Sequence, residues 1–181
     1  TARAPKPARD ALLVWVLLSL LAPTAASAAE SVFLFLTLNG VDIVGEPRVT
    51  QIGGEDVSEA IECLSFSATA FAEGGRAQYR PITITKPNDR SSPLLLKGFA
   101  QGEQVEAVFL FFRNNPSTGA SERYQTVTFT GGTIAAVSLA SPDVLDPGSS
   151  GSPPTDVVTF GFQQMTWRND IEGTQFTVTA P

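Results

Sequence analysis

The 181-residue chain predicts a mainly β fold, a small closed or nearly closed antiparallel β-barrel carrying one short α-helix. Three observations predict it. Alternating or wholly apolar runs recur about eight times, each bounded by Gly, Pro, Asn or Asp. Helical periodicity is confined to one stretch in mid-chain, Ser92 to Gly102. The length suits about one domain, long enough to bury a sizeable core.

Thr1 to Ala29 stands apart from that fold. Arg3, Lys6 and Arg9 precede the apolar run Ala11 to Ala22, and Ala26-Ser27-Ala28 then offers the small residues that signal peptidase accepts. This pattern predicts a secretory signal peptide over residues 1–28, cut after Ala28. The apolar run is shorter than the roughly 20 residues a bilayer span needs. No membrane contact is expected once the signal is removed, and the mature protein is expected to be secreted or periplasmic. The chain opens on Thr1 rather than Met, so some preceding sequence is expected to be missing. The barrel domain is expected over residues 30–170, with 171–181 as a C-terminal tail.

Val32 to Leu38 is the first predicted strand, with Val32, Leu34, Leu36 and Leu38 on one face and Phe33 and Phe35 on the other. Asn39-Gly40 ends it. Gly45 to Ser58 is polar and Gly-rich, and nothing in it demands regular structure. Ala60 to Phe71 is the second strand; its apolar positions change face between Cys63 and Leu64, which predicts a bulge or burial on both sides. Gly74-Gly75 turns the chain into a third strand, Gln78 to Thr85, with Pro81 marking an irregular point. Ser92 before Pro93 predicts a helix start, the hydroxyl capping free N–H groups and the proline standing where no N–H is needed. Leu95 and Phe99 lie four apart, so both are expected against the barrel. Gly102 supplies the left-handed stop.

Val105 to Phe112 then runs apolar on both faces. A barrel wall has one inward face, so the outer side of Phe109 to Phe112 needs cover, either from the helix or from another subunit. Burying two or three such side chains is worth roughly 1.5–3 kcal/mol each. Arg123 to Thr130 and Thr133 to Leu139 read as the next two strands, joined at Gly131-Gly132 as a tight hairpin. Ala140 to Pro154 is low in complexity and reads as a mobile loop. Val157 to Phe162 is a further strand, and Phe176 to Thr179 a short one within the tail.

Chemistry is hard to place on this sequence. It contains no histidine, which removes the commonest general base and the commonest zinc ligand. Cys63 is alone and sits in an apolar run, so it reads as a small buried residue. The carboxylate pairs Glu55 with Asp56 and Asp143 with Asp146 lie in polar loops where such groups are solvated. Asp143, Asp146 and Asp156 lack the every-second-residue spacing of a calcium loop. A formal net charge of −6 opposes phosphate binding, so no nucleic-acid partner is expected. No enzyme activity, metal or cofactor is expected.

The order Ile82-x-Ile84-x-Lys86, Asp89, Ser91-Ser92-Pro93, Leu95-Leu96, Gly102, Val105, Val108 and Arg113 resembles the haemolysin-coregulated protein (Hcp) family, the tube proteins of bacterial type VI secretion. Phe33-Leu34 to Leu38-x-Gly40 with Gly45-Glu46 resembles the family's opening strand and its Gly-Glu loop. Ile61-Glu62-x-Leu64-Ser65-Phe66-Ser67 and Pro154-Thr155-Asp156-Val157-Val158 resemble two further strands. The matches run in order over Val32 to Arg168.

The resemblance implies a homohexameric ring with a central channel, stacked into a tube, driven by a contractile sheath and carrying effector proteins. Spike and sheath proteins are then implied partners. The loop Gly45 to Ser58 would contact the neighbouring ring, with Glu46, Arg48, Glu55 and Asp56 as the candidate stacking residues. Family tubes assemble in the cytoplasm without a cleavable signal, which conflicts with residues 1–28. A second expectation therefore stands beside the first: an exported β-barrel binding or adhesive module that kept the fold and lost the tube role.

Overall fold

The computed structural model describes residues 30–143, 145–146, 148–149 and 151–179; the predicted signal peptide and its cut at Ala28 lie outside them. Along the chain run β1 (Ser31–Leu38), β2 (Val41–Ile43), β3 (Gln51–Ile52), β4 (Glu55–Asp56), β5 (Ile61–Cys63), β6 (Ser65–Ser67), β7 (Ala70–Glu73), β8 (Arg76–Tyr79) and β9 (Ile82–Pro87). The helix α1 (Ser92–Gln101) follows, then β10 (Gln104–Asn114), β11 (Ser121–Ala140), β12 (Thr155–Gly161), β13 (Gln164–Asn169) and β14 (Gln175–Thr179). The fold is mainly β with one helix among the described residues.

The wall of the barrel is the antiparallel series β1, β10, β11, β12, β9, β6. β1 pairs β10 along its whole length, from Ser31 opposite Phe112 to Leu38 opposite Val105. The two ends of the series meet through one segment that changes partner. β5 pairs β1, with Val32 opposite Cys63, whereas β6 pairs β9, with Ser65 opposite Thr85. Between them Leu64 turns outward, and its N–H donates to the Thr85 carbonyl at 2.7 Å. The face change visible in the sequence at Cys63 and Leu64 is this change of partner, and it leaves the barrel nearly closed. The single strand expected over Ala60 to Phe71 is therefore three short ones.

Gly131-Gly132 does not make a hairpin. β11 continues through it as one 20-residue strand, pairing β10 as far as Thr133, β13 before the glycines and β12 after them. Gly131 holds φ +63°, and a Cβ on Gly132 would lie 2.6 Å from the Phe129 ring and 2.7 Å from the Gly161 carbonyl oxygen. The pair bends the strand under close packing instead of reversing it.

Two apolar clusters flank the wall. The larger fills the barrel with Leu34, Leu36, Leu38, Ile82, Ile84, Phe109, Phe111, Val127, Phe129, Val158 and Phe160, and Leu95 of α1 reaches into it. The smaller lies outside β1 and β10: Phe33, Leu110 and Phe112 under Val57, Ala60 and the half-buried Ile52. The outer face of the Phe109–Phe112 run is thus covered from within the chain, and not by the helix. Its cover is the Gly45–Ala60 segment, most of it the Gly45 to Ser58 loop in which nothing in the sequence demands regular structure, and it contains the β3–β4 hairpin. Val57 and Ala60 have no exposed surface, and Gly45 lies so close to Ala60 that a Cβ there would meet the Ala60 carbonyl oxygen at 2.4 Å.

The tail is also part of the fold. β14 pairs β13, which pairs β11, with Met165 opposite Val178 and Trp167 opposite Phe176.

Candidate functional site

The four residues expected to face a neighbouring ring lie on the covering segment, and each is held from within the chain. The Glu46 N–H donates to Asp89 Oδ2 at 3.2 Å, and its carboxylate accepts the Arg90 N–H at 3.3 Å. Arg48 donates through Nε to Glu62 Oε1 at 2.9 Å. That bond outweighs burial and holds the Glu62 carboxyl below its ordinary range. Glu55 receives Arg123 Nη1 at 2.8 Å. Asp56 accepts the Ser58 N–H at 2.9 Å, which lowers its pKa while leaving the carboxylate fully exposed. The loop is accordingly a strapped surface that presents Glu46, Arg48 and Asp56 to solvent.

The strap is anchored on a buried ionic group beneath the start of α1. Lys86, with no exposed surface, donates to Pro87 O at 2.7 Å, to Ser92 Oγ at 2.9 Å and to Asp156 Oδ2 at 3.0 Å, and it lies 2.8 Å from Asp89 Oδ1. Asn88 Nδ2 donates to the second Asp156 oxygen at 3.0 Å. Burial opposes ionisation of Asp89, but hydrogen bonds from Lys86 and Ser91 outweigh it and hold the carboxyl below its ordinary value. Asp89 then bonds the Glu46 N–H, and Arg90 Nε donates to the Gly45 carbonyl at 2.8 Å, so strap and helix share one anchor.

Ser92 is not the helix cap. Ser91 occupies the cap position without a side-chain capping bond, and Ser92 is the first helical residue. Asp89 performs the capping: Oδ1 accepts the Ser91 N–H at 2.9 Å and its carbonyl accepts the Ser92 N–H at 3.0 Å. The Ser92 hydroxyl donates to Asp156 and accepts from Lys86, two charge-assisted bonds in a dry site, and its oxygen also accepts the Asp89 N–H at 3.0 Å, back toward the chain that enters the helix. Pro93 stands in the first turn and is exposed; Leu95 is fully buried. Phe99 is 42% exposed and does not pack against the barrel. Gly98 explains this. A Cβ there would lie 2.6 Å from Leu38 Cδ1, so the line of closest approach runs through Leu95 and Gly98 and turns Phe99 to the flank.

Two surfaces remain. One is the outer side of α1, where Leu94, Leu96 and Phe99 are each about two-fifths exposed. Val41 continues it; it stands opposite Leu38, whose side chain meets Gly98, and is 65% exposed. The other is a groove of about 500 Å³ where the β13–β14 hairpin faces the base of the β7–β8 hairpin without pairing. Met165, Trp167, Phe176 and Val178 form its floor, and Tyr79 and Arg80 its rim. The sequence reading missed this groove because it missed β13; the alternation Met165-x-Trp167 was the available signal. Cys63 is buried, and burial pushes its thiol pKa far up, so it offers no thiolate. Among the described residues no group of three or more His, Cys, Asp or Glu is placed to hold a metal.

Comparison with known proteins bears on this architecture. A family model described as type VI secretion system effector, Hcp, matches residues 35–168. The Major exported protein of Pseudomonas aeruginosa is 28% identical over 100 residues, covering 55% of this chain and 58% of that protein. The chain thus spans less than two thirds of that curated relative's length. Among solved structures, a crystal structure of an Hcp protein superposes with TM-score 0.72 at 18% identity, over 84% of this chain and 99% of the other. Secreted protein Hcp3 from Pseudomonas aeruginosa gives TM-score 0.70 at 19% identity, again over 84% and 99%. At such identities the superpositions establish a shared fold.

Proposed function

Since the chain belongs to the Hcp family of type VI secretion, we propose that it is a structural ring subunit that assembles as a homohexamer, stacks into a tube and carries effector proteins in the channel. The observation that carries this reading is the family match over residues 35–168 together with a barrel of the same fold. Its role is mechanical, with spike and effector proteins as partners; a cut at Ala28 carries the ring away from the cytoplasmic sheath, so the sheath is a partner of the uncleaved chain alone. Residues 30–170 act as one unit together with β14 of the tail, and residues 1–28 direct export with a cut after Ala28.

In this reading the strapped loop is the stacking surface. Glu46, Arg48, Glu55 and Asp56 meet the next ring, and their internal bonds fix the height at which they do so. Exposed charge contacts are individually weak and screened by salt, so stacking is reversible and fails as ionic strength rises.

Sedimentation and negative-stain microscopy of the mature protein test the reading. Closed rings, stacking at low salt and separating at high salt, are the expected result. A monomer at high protein concentration overturns the ring and favours the exported binding module. N-terminal sequencing tests export separately: a full-length chain in the cytoplasm rejects the cut at Ala28.

A further inference from the structure

We infer that the α1 end of one barrel docks into the groove between the β7–β8 and β13–β14 hairpins of a second copy, as the head-to-tail contact of the ring; the inference rests on the ring reading above. A ring needs a heterologous contact, in which two unlike surfaces of the same chain meet. The sheet face that first suggested such a contact is occupied internally by Val57 and Ala60, so another pair of surfaces must serve.

Two of the exposed apolar surfaces among the described residues are opposite in shape. The α1 end is convex, with Leu96 and Phe99 projecting from a helix beside Val41. The groove is concave, and its floor becomes steadily more exposed outward, from Met165 at 6% through Trp167 at 38% to Phe176 at 68%. Val178 and Met165 close its inner end, so an apolar side chain entering from outside continues the barrel's own core.

Charge supports the same pairing. Arg80 at the groove rim stacks on Phe71 at 5.4 Å and has no carboxylate within ion-pair distance among the described residues. Asp42 and Glu106 flank Thr37 on the outer wall beside the α1 end, both exposed and both without a basic partner among the described residues. Docked head to tail, the unmatched base of one copy faces the unmatched acids of the next. Two α1 ends brought together would instead place like charges side by side.

Mixing complementary variants tests this. Phe99→Asp removes the projecting surface and Phe176→Asp removes the receiving one; both residues are exposed, so both chains should keep the wild-type circular dichroism spectrum. Each variant should be monomeric at concentrations where the wild type forms rings. An equimolar mixture should give a one-to-one dimer and nothing larger, since each chain retains one working surface. As a second arm, Arg80→Glu should break rings and Arg80→Glu with Asp42→Lys and Glu106→Lys should restore them. Rings from either Asp variant alone, or a homodimer of either, overturn this docking mode and leave the ring reading intact. A wild-type monomer overturns both.

Discussion

Lys86 carries its charge with no exposed surface, and what surrounds it explains several residues at once. Asp156, Asp89, Ser92 and the Pro87 carbonyl are its partners, and a buried charge left unmatched would cost several kcal/mol. The Asp89 carboxyl is held below its ordinary value, so its contribution to stability is present above the unfolded value of about 3.9 and is lost as pH falls through the lower folded one. The melting temperature should therefore drop as pH falls below about 4, and Asp89→Asn should flatten part of that slope. An unchanged slope in calorimetry would reject the assignment. On the helix, Leu95→Ala should cost about 2–5 kcal/mol, whereas Phe99→Ala should cost less than about 1 kcal/mol. Equal losses in urea titration would put Phe99 in the core after all. Leu95 was legible from its spacing. The role of Ser92 was not, because Asp156 is supplied by β12, 64 residues further along the chain, and local capping rules see only neighbours in sequence.

At the scale of elements, the covering segment is where local pattern and outcome diverged most. Its composition is polar and turn-rich, yet Val57, Ala60 and Ile52 close a second apolar cluster over Phe33 and Phe112. Three spaced apolar residues carry no period, so nothing in the segment announced burial. Gly45→Ala should push the strap off Ala60, and Phe112→Ala should cost about 3–5 kcal/mol by emptying the cluster beneath it. Hydrogen exchange would read both: faster exchange of the Gly45 and Val57 amides with the barrel strands still protected is the expected result. Uniform protection in Gly45→Ala would show that the close approach is not needed. The alternation of β1 and the apolar run of β10 were read correctly because one buried face imposes a period. The Gly-Gly pair in β11 was misread because turn chemistry and strand bending use the same residues, and only Phe129 and Gly161, brought by tertiary packing, decide between them.

At the scale of the molecule, one barrel with an apolar convex end and an apolar slot is a shape that assembly can use, and wild-type particle mass is its first measurement. The pairing order adds a consequence in time. β1, made first, has as its full-length partner β10, and the β9 edge is completed by β12, near the end of the described chain. Contacts of such long sequence separation form slowly, because loop closure must precede any gain from burial. Removing residues from Pro154 onward should leave a chain without cooperative unfolding, and a sharp thermal transition in that truncation would contradict this. A ribosome-bound chain of this topology thus holds no finished core until β12 has been made. It stays threadable for a long interval, which is the state a translocation channel accepts.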